Sequence, residues 1–202
     1  MVTSDRRAQA HTLEAFIAAI LLIGALLFAM QATAVTPLSA STSNQHIENQ
    51  QRALAGDLLS VGIEDGSLSE TVRYWDPDEG AFEASPEVGY YTSSGSETAF
   101  LDSLNRALSE QRIAYNVYVR YHRADSQTST PSMRTDRLVY MGQPSDNAVT
   151  ASRSVTLYGD NELTGSDSSR LDDLEPGAFY APNVGDGLVY NRLEVRIVTW
   201  RM

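Results

Sequence analysis

The residues equipped for chemistry are few, and most of them are scattered. His11, His46 and His122 are far apart and none stands in an HExxH pattern, so each reads as a structural or solvated imidazole rather than a metal ligand. Asp76, Asp78 and Glu87 have the spacing of the first, third and twelfth positions of a calcium loop. The glycine, Gly80, is fifth instead of sixth and displaces a ligand, so the stretch reads as a solvated acidic turn. Asp172 and Asp173 read as loop charges. With no cysteine, thiolate zinc sites, disulfides and cysteine nucleophiles are excluded. No G-x-S-x-G elbow, phosphate loop or dinucleotide fingerprint occurs. The expectation is a protein without catalysis, metal or cofactor. One carboxylate is different: Glu14 stands where an uncharged apolar run, residues 15–35, begins.

That run must position Glu14. As a helix it spans roughly 31 Å at 1.5 Å per residue, enough for a bilayer core, with a membrane part at about 13–36. Arg6 and Arg7 precede it with only Asp5 against them, which predicts a cytoplasmic N-terminus and an extracellular remainder. Three readings fit. A secretory signal could be cut after Ala34, using the small pair Ala32 and Ala34. An uncleaved anchor could hold Glu14 at headgroup level, where a charge costs little. Neither reading requires a carboxylate.

The third reading does require it. A short basic leader, small residues, Thr12-Leu13-Glu14 and then an apolar helix resemble the class III signal sequence of type IV pilins and archaellins. The stretch from "RAQAHTLEAF" through "ATAVTPLSASTSNQHIENQQ" also resembles uncharacterised pilin-like membrane proteins of halophilic archaea. The resemblance implies a prepilin peptidase cutting within Ala8, Gln9, Ala10 and His11. It also implies an assembly ATPase with a membrane platform, and sister pilin subunits as partners. A cut after Gln9 makes Glu14 the fifth mature residue, a cut after Ala8 the sixth, and a cut after Ala10 the fourth. In that family the glutamate is thought to pair with the new N-terminal amine of a neighbour. Such pairing is physically sensible, since a carboxylate and an ammonium entering a helical core together offset each other's desolvation.

Beyond the membrane part, Ile47, Leu54, Leu58 and Val61 share one helical face, with Glu48, Gln51 and Arg52 off it. The predicted long helix therefore covers 11–62, after a leader at 1–10. Pro37 is expected to kink it, or a Ser/Thr link at 39–43 precedes a fresh helix near Asn44. Gly62 and Gly66 mark its end.

Residues 63–202 read as a head domain. Ser94 with Glu97 offers a capping box to a helix carrying Phe100, Leu101, Leu104, Ala107 and Leu108 on one stripe. Ile113 to Tyr121 alternates as a strand. Further strands are expected at 137–142, 149–158 and 188–200, with polar connections that include a long acidic loop at 159–187. The predicted class is α+β: a long N-terminal helix packed on a small antiparallel sheet of about four strands, pilin-like, with one face covered and the other wet.

Composition sets the setting. The 202 residues carry a formal charge of -11, and all 15 basic residues are arginine. That argues against nucleic acid as a partner and suggests adaptation to concentrated salt, where self-repulsion is screened. The expected function is a pilin-like subunit or minor component of a type IV pilus-like surface filament. The alternatives are a solitary single-span surface protein with a binding domain, or an exported hydrolase of unrecognised type.

Overall fold

A computed structural model describes residues 3–93, 97–123, 132–184 and 187–201; within 3–10 and 31–44 it describes the backbone alone. Two compact units are present, residues 1–47 and 48–202. The first helix, α1 (Thr3–Glu64), contributes to both. Its assignment runs through Pro37, so no fresh helix starts near Asn44.

In the first unit, the apolar stretch is exposed along its described length. From His11 to Met30 the mean hydropathy is 2.5 and no residue is buried. Leu13, Phe16, Leu21 and Phe28 are each about two-thirds exposed or more.

The second unit, the head, is an α+β layer pair. Here α1 buries a face different from the one its leucines suggest. Gln51, Ala55, Gly56, Leu59 and Gly62 are buried, Leu54 and Leu58 flank them, and Val61 is exposed. Small residues decide the rotation. A Cβ on Gly62 would lie 2.8 Å from the Phe100 ring, so only a glycine lets the two helices come this close. Gly62 is thus a packing position and not the helix end. The end comes at Glu64, where Asp65 N–H still donates to the Val61 carbonyl at 2.9 Å and Gly66 takes φ +81°. A second short helix that periodicity does not reveal, α2 (Ser67–Val72), follows at once and buries Leu68, Thr71 and Val72.

A two-residue hairpin, β1 (Trp75–Asp76) and β2 (Ala81–Phe82), comes next. Helix α3 (Ala99–Leu108) buries Phe100, Leu101, Leu104 and Leu108, with Ala107 at the margin. The expected cap residue, Ser94, lies outside the described residues; the cap seen is Thr98, whose hydroxyl accepts from Leu101 N–H.

The main sheet has four antiparallel strands, β3 (Ile113–Arg123), β4 (Ser132–Tyr140), β5 (Val149–Tyr158) and β6 (Val189–Arg201), in the order β4-β3-β6-β5. Most of the connection after Arg123, at 124–131, lies outside the described residues. Period-2 alternation places Tyr115, Val117, Val119, Leu193, Val195, Ile197 and Thr199 on the covered face, where all are fully buried. The opposite face is not uniformly wet. At one end the turn after β4 covers it: the Asn116 amide donates to the Gly142 carbonyl and accepts from Met141 N–H, both at 2.8 Å. The long acidic loop is likewise more than surface. It sends Leu163, Leu171, Phe179 and Ala181 into the core, and Tyr180 stacks against Phe179, Trp75 and Tyr121.

Candidate functional site

Two surfaces stand apart from the packed interior. The first is the mouth of the apolar helix. At Glu14 the helical periodicity brings His11 one turn back on the same side, with Nδ1 3.6 Å from the Glu14 carboxylate. Both side chains are about four-fifths exposed. The sequence places His11 in the processing region at the start of the helix and gives it no link to Glu14; the i,i+3 spacing was the available signal. For Arg6, Arg7, Ala8, Gln9, Ala10 and Pro37 the backbone is helical, and their side chains lie outside the described residues.

The second surface is the uncovered part of the sheet. On β3 and β6, Arg120 and Glu194 lie opposite each other in register and pair at 2.7 Å. Two residues along β6, Arg196 reaches the other oxygen of Glu194 at 3.4 Å. Burial alone would raise the Glu194 carboxyl. The hydrogen bond from Ser152 and the charges of Arg120 and Arg196 together hold it below the ordinary glutamate range. Arg192 continues the same row and reaches the Ser154 hydroxyl at 3.3 Å. On β4, Arg137 faces the same way and stacks over the Tyr140 ring, with its guanidinium carbon 4.4 Å from the centroid, and over Tyr90 at 5.5 Å. The alternation of arginine with apolar residues along β6 was legible beforehand, but the convergence of β3, β4 and β6 was not, because it depends on strand order.

Elsewhere, polar groups serve the fold. Asp76 accepts from Asp78 N–H at 2.8 Å and Glu79 N–H at 3.0 Å, closing the hairpin turn. Among the described residues no three His, Asp or Glu side chains converge as a metal site would require. A shallow cleft of about 360 Å³ lies at the β4 edge, between the hairpin and Tyr90, with Asp136 and Arg137 on its wall. Asp136 is already engaged there, accepting from the Tyr121 hydroxyl at 2.9 Å. That bond joins with burial to push the phenol's pKa up.

One family model matches this chain over residues 7–199, taking in Glu14, the apolar helix and the head together. The chain belongs to DUF7288, a family of unknown function. The DUF7288 match begins at Arg7, so the apolar helix is part of the family's shared body and not an appendage to it. No curated protein and no solved structure matches the chain.

Proposed function

We propose that this DUF7288 protein is a pilin-like subunit, or minor component, of a type IV pilus-like surface filament in a salt-adapted archaeon. The observation that carries the reading is Glu14 at the entrance of a helix whose large apolar side chains from Leu13 to Phe28 are exposed. A helix of that length and hydropathy needs lipid or other helices around it. A carboxylate at its entrance is favourable when a cation shares the same low-dielectric site. In the proposed filament that cation is the N-terminal amine of a sister chain, released by a prepilin peptidase within residues 8–11. Before assembly the helix sits in the bilayer, with the head on the outer side as Arg6 and Arg7 direct. An assembly ATPase and its membrane platform then draw subunits into the filament. The head has no assigned catalytic role.

Mass spectrometry of the mature N-terminus tests this reading. Loss of only the first eight to ten residues is expected. A start at Val35 would assign the segment as a secretory signal, and an untrimmed leader would assign a solitary anchor. Glu14→Gln is expected to leave membrane insertion intact and to reduce recovery of the chain in sheared surface filaments. Normal filament recovery by that variant overturns the role given to Glu14.

A further inference from the structure

The uncovered sheet face is basic in a strongly acidic protein. Arg120, Arg137, Arg192 and Arg196 share it with one carboxylate, Glu194. The chain as a whole carries -11, so everything outside this face is more acidic than the total suggests. Glu194 neutralises only one of the two guanidinium groups that touch it. Arg192 and Arg137 are exposed, and no carboxylate is recorded on either among the described residues. Arg137 lies over the Tyr140 ring, 4.4 Å from its centroid, and a guanidinium fork is the group that suits a carboxylate.

The complementary surface lies on the same chain. The 159–175 loop exposes Asp160, Glu162, Asp172, Asp173 and Glu175. It is held in a fixed shape: Leu163 N–H donates to the Ser169 carbonyl and Leu171 N–H to that of Asn161, both at 2.9 Å. Arg73 pins it to α2 by donating to the Glu162 carbonyl. The loop is anchored on the helix-covered side of the sheet, where Leu171 and Phe179 enter the core and the Tyr180 hydroxyl donates to the Val72 carbonyl at 2.8 Å. The basic face looks the other way. A single head therefore cannot bring its own two surfaces together, but two heads can.

We propose that the basic sheet face receives the acidic 159–175 loop of a second copy of this chain. Crowded heads of charge -11 repel one another, and an oppositely charged patch on each head selects the one relative placement that relieves the repulsion. The contact joins two different patches, so it is head-to-tail and repeats without closing unless the rotation forms a ring. At about 1 M salt the screening length falls to about 3 Å, so long-range attraction vanishes and only direct N–H···O contacts persist. Under those conditions the arrangement sets register more than it draws molecules together. The proposal deepens the filament reading and takes its partner from it.

The absence of cysteine makes a clean test. Full-length Ser154→Cys, on the basic face, and full-length Ser168→Cys, on the loop, are co-expressed, and membranes and filaments are treated with a short bismaleimide. Face-to-loop cross-links are expected, with face-to-face and loop-to-loop products scarce. Adding Arg137→Glu and Arg192→Glu to the first chain is expected to lower the yield at least about tenfold, the scale of close interfacial charge pairs. Asp172→Arg and Asp173→Arg on the second chain should restore it. No face-to-loop product, a dominant face-to-face product, or a yield unmoved by charge reversal overturns the proposal. Retention of the uncross-linked protein on a sulfated polysaccharide column, abolished by Arg192→Glu, would assign the face to an external polyanion and also overturn it. The two readings fail separately. Cross-links from a chain with an untrimmed leader sink the filament and leave the contact standing. A trimmed, Glu14-dependent filament without cross-links sinks the contact alone.

Discussion

Leu21 and Leu104 are the same side chain under opposite conditions: Leu21 is 67% exposed on the apolar helix, and Leu104 is fully buried in the head. The head makes its own interior from three helices, a hairpin, a loop and a sheet. The stretch from His11 to Met30 makes none and must be given one by its surroundings. The same hydrophobic pattern is therefore a folding signal in one unit and a location signal in the other. Truncating Leu104 to alanine should cost the head about 2–5 kcal/mol, because the removed atoms leave a cavity among Phe100, Leu101 and the sheet. Leu21→Ala should leave the head's stability unchanged. Denaturant unfolding of the detergent-solubilised chain, followed by the fluorescence of Trp75 and Trp200, distinguishes the two. Equal shifts would break the contrast.

The glycines sharpen it. Gly62→Ala places a methyl against the Phe100 ring and is expected to cost about 1–3 kcal/mol, as overpacking does. At Gly24 nothing lies within 4 Å of the new Cβ, so Gly24→Ala should be neutral in the same unfolding assay or slightly helix-favouring. A smaller effect is expected at Thr98, which caps α3 and shares a 2.7 Å hydrogen bond with the Thr71 hydroxyl. Thr98→Ala should lose about 1 kcal/mol, readable in the same unfolding curves.

The smallest effect concerns pH. The Glu194 carboxyl is held low in the folded head, so the stability it contributes is full above the ordinary glutamate range. That contribution is lost as pH falls through its depressed value. Glu194→Gln should therefore flatten the acid limb of the head's stability profile while leaving the neutral region little changed. An unaltered acid limb would show that Arg120 and Arg196 do not favour the ionised form.

What was legible in the chain depended on how local the cause was. Strand β5 was expected at the bounds the structure gives, 149–158, with Val155 and Leu157 on one face, where both are buried. Thr199 is buried despite its hydroxyl, because period 2 along the strand leaves it no other face. The orientation of α1 was legible only in part: Leu54 and Leu58 pack at the margin of the core, Leu59 is buried between them and the glycines, and Val61 is exposed. Its leucines and valine suggested one stripe, yet the buried line runs through Gln51, Ala55, Gly56 and Gly62. Close approach is a property of two helices, and a hydrophobicity pattern scores small residues as weak. Helix α2 was missed since six residues carry too little periodicity. The aromatic core of the acidic loop was missed since Phe179 and Tyr180 stand alone among turn residues, and distant partners such as Trp75, Phe82 and Tyr121 give them a place. Glu14 was found at once, because its oddity is purely local. Its neighbour His11 needed only the helical repeat to be counted backwards.

Strand order has a consequence in time. The last strand in chain order, β6, lies inside the sheet between β3 and β5, and pairs along most of its length with both. β3 can pair with β4 beforehand, but β5 has its sheet partner only once residues 189–201 have emerged, so the four-stranded sheet closes in a late, long-range step. A nascent chain stalled before Val189 should therefore be cut readily by protease at sites the finished head hides.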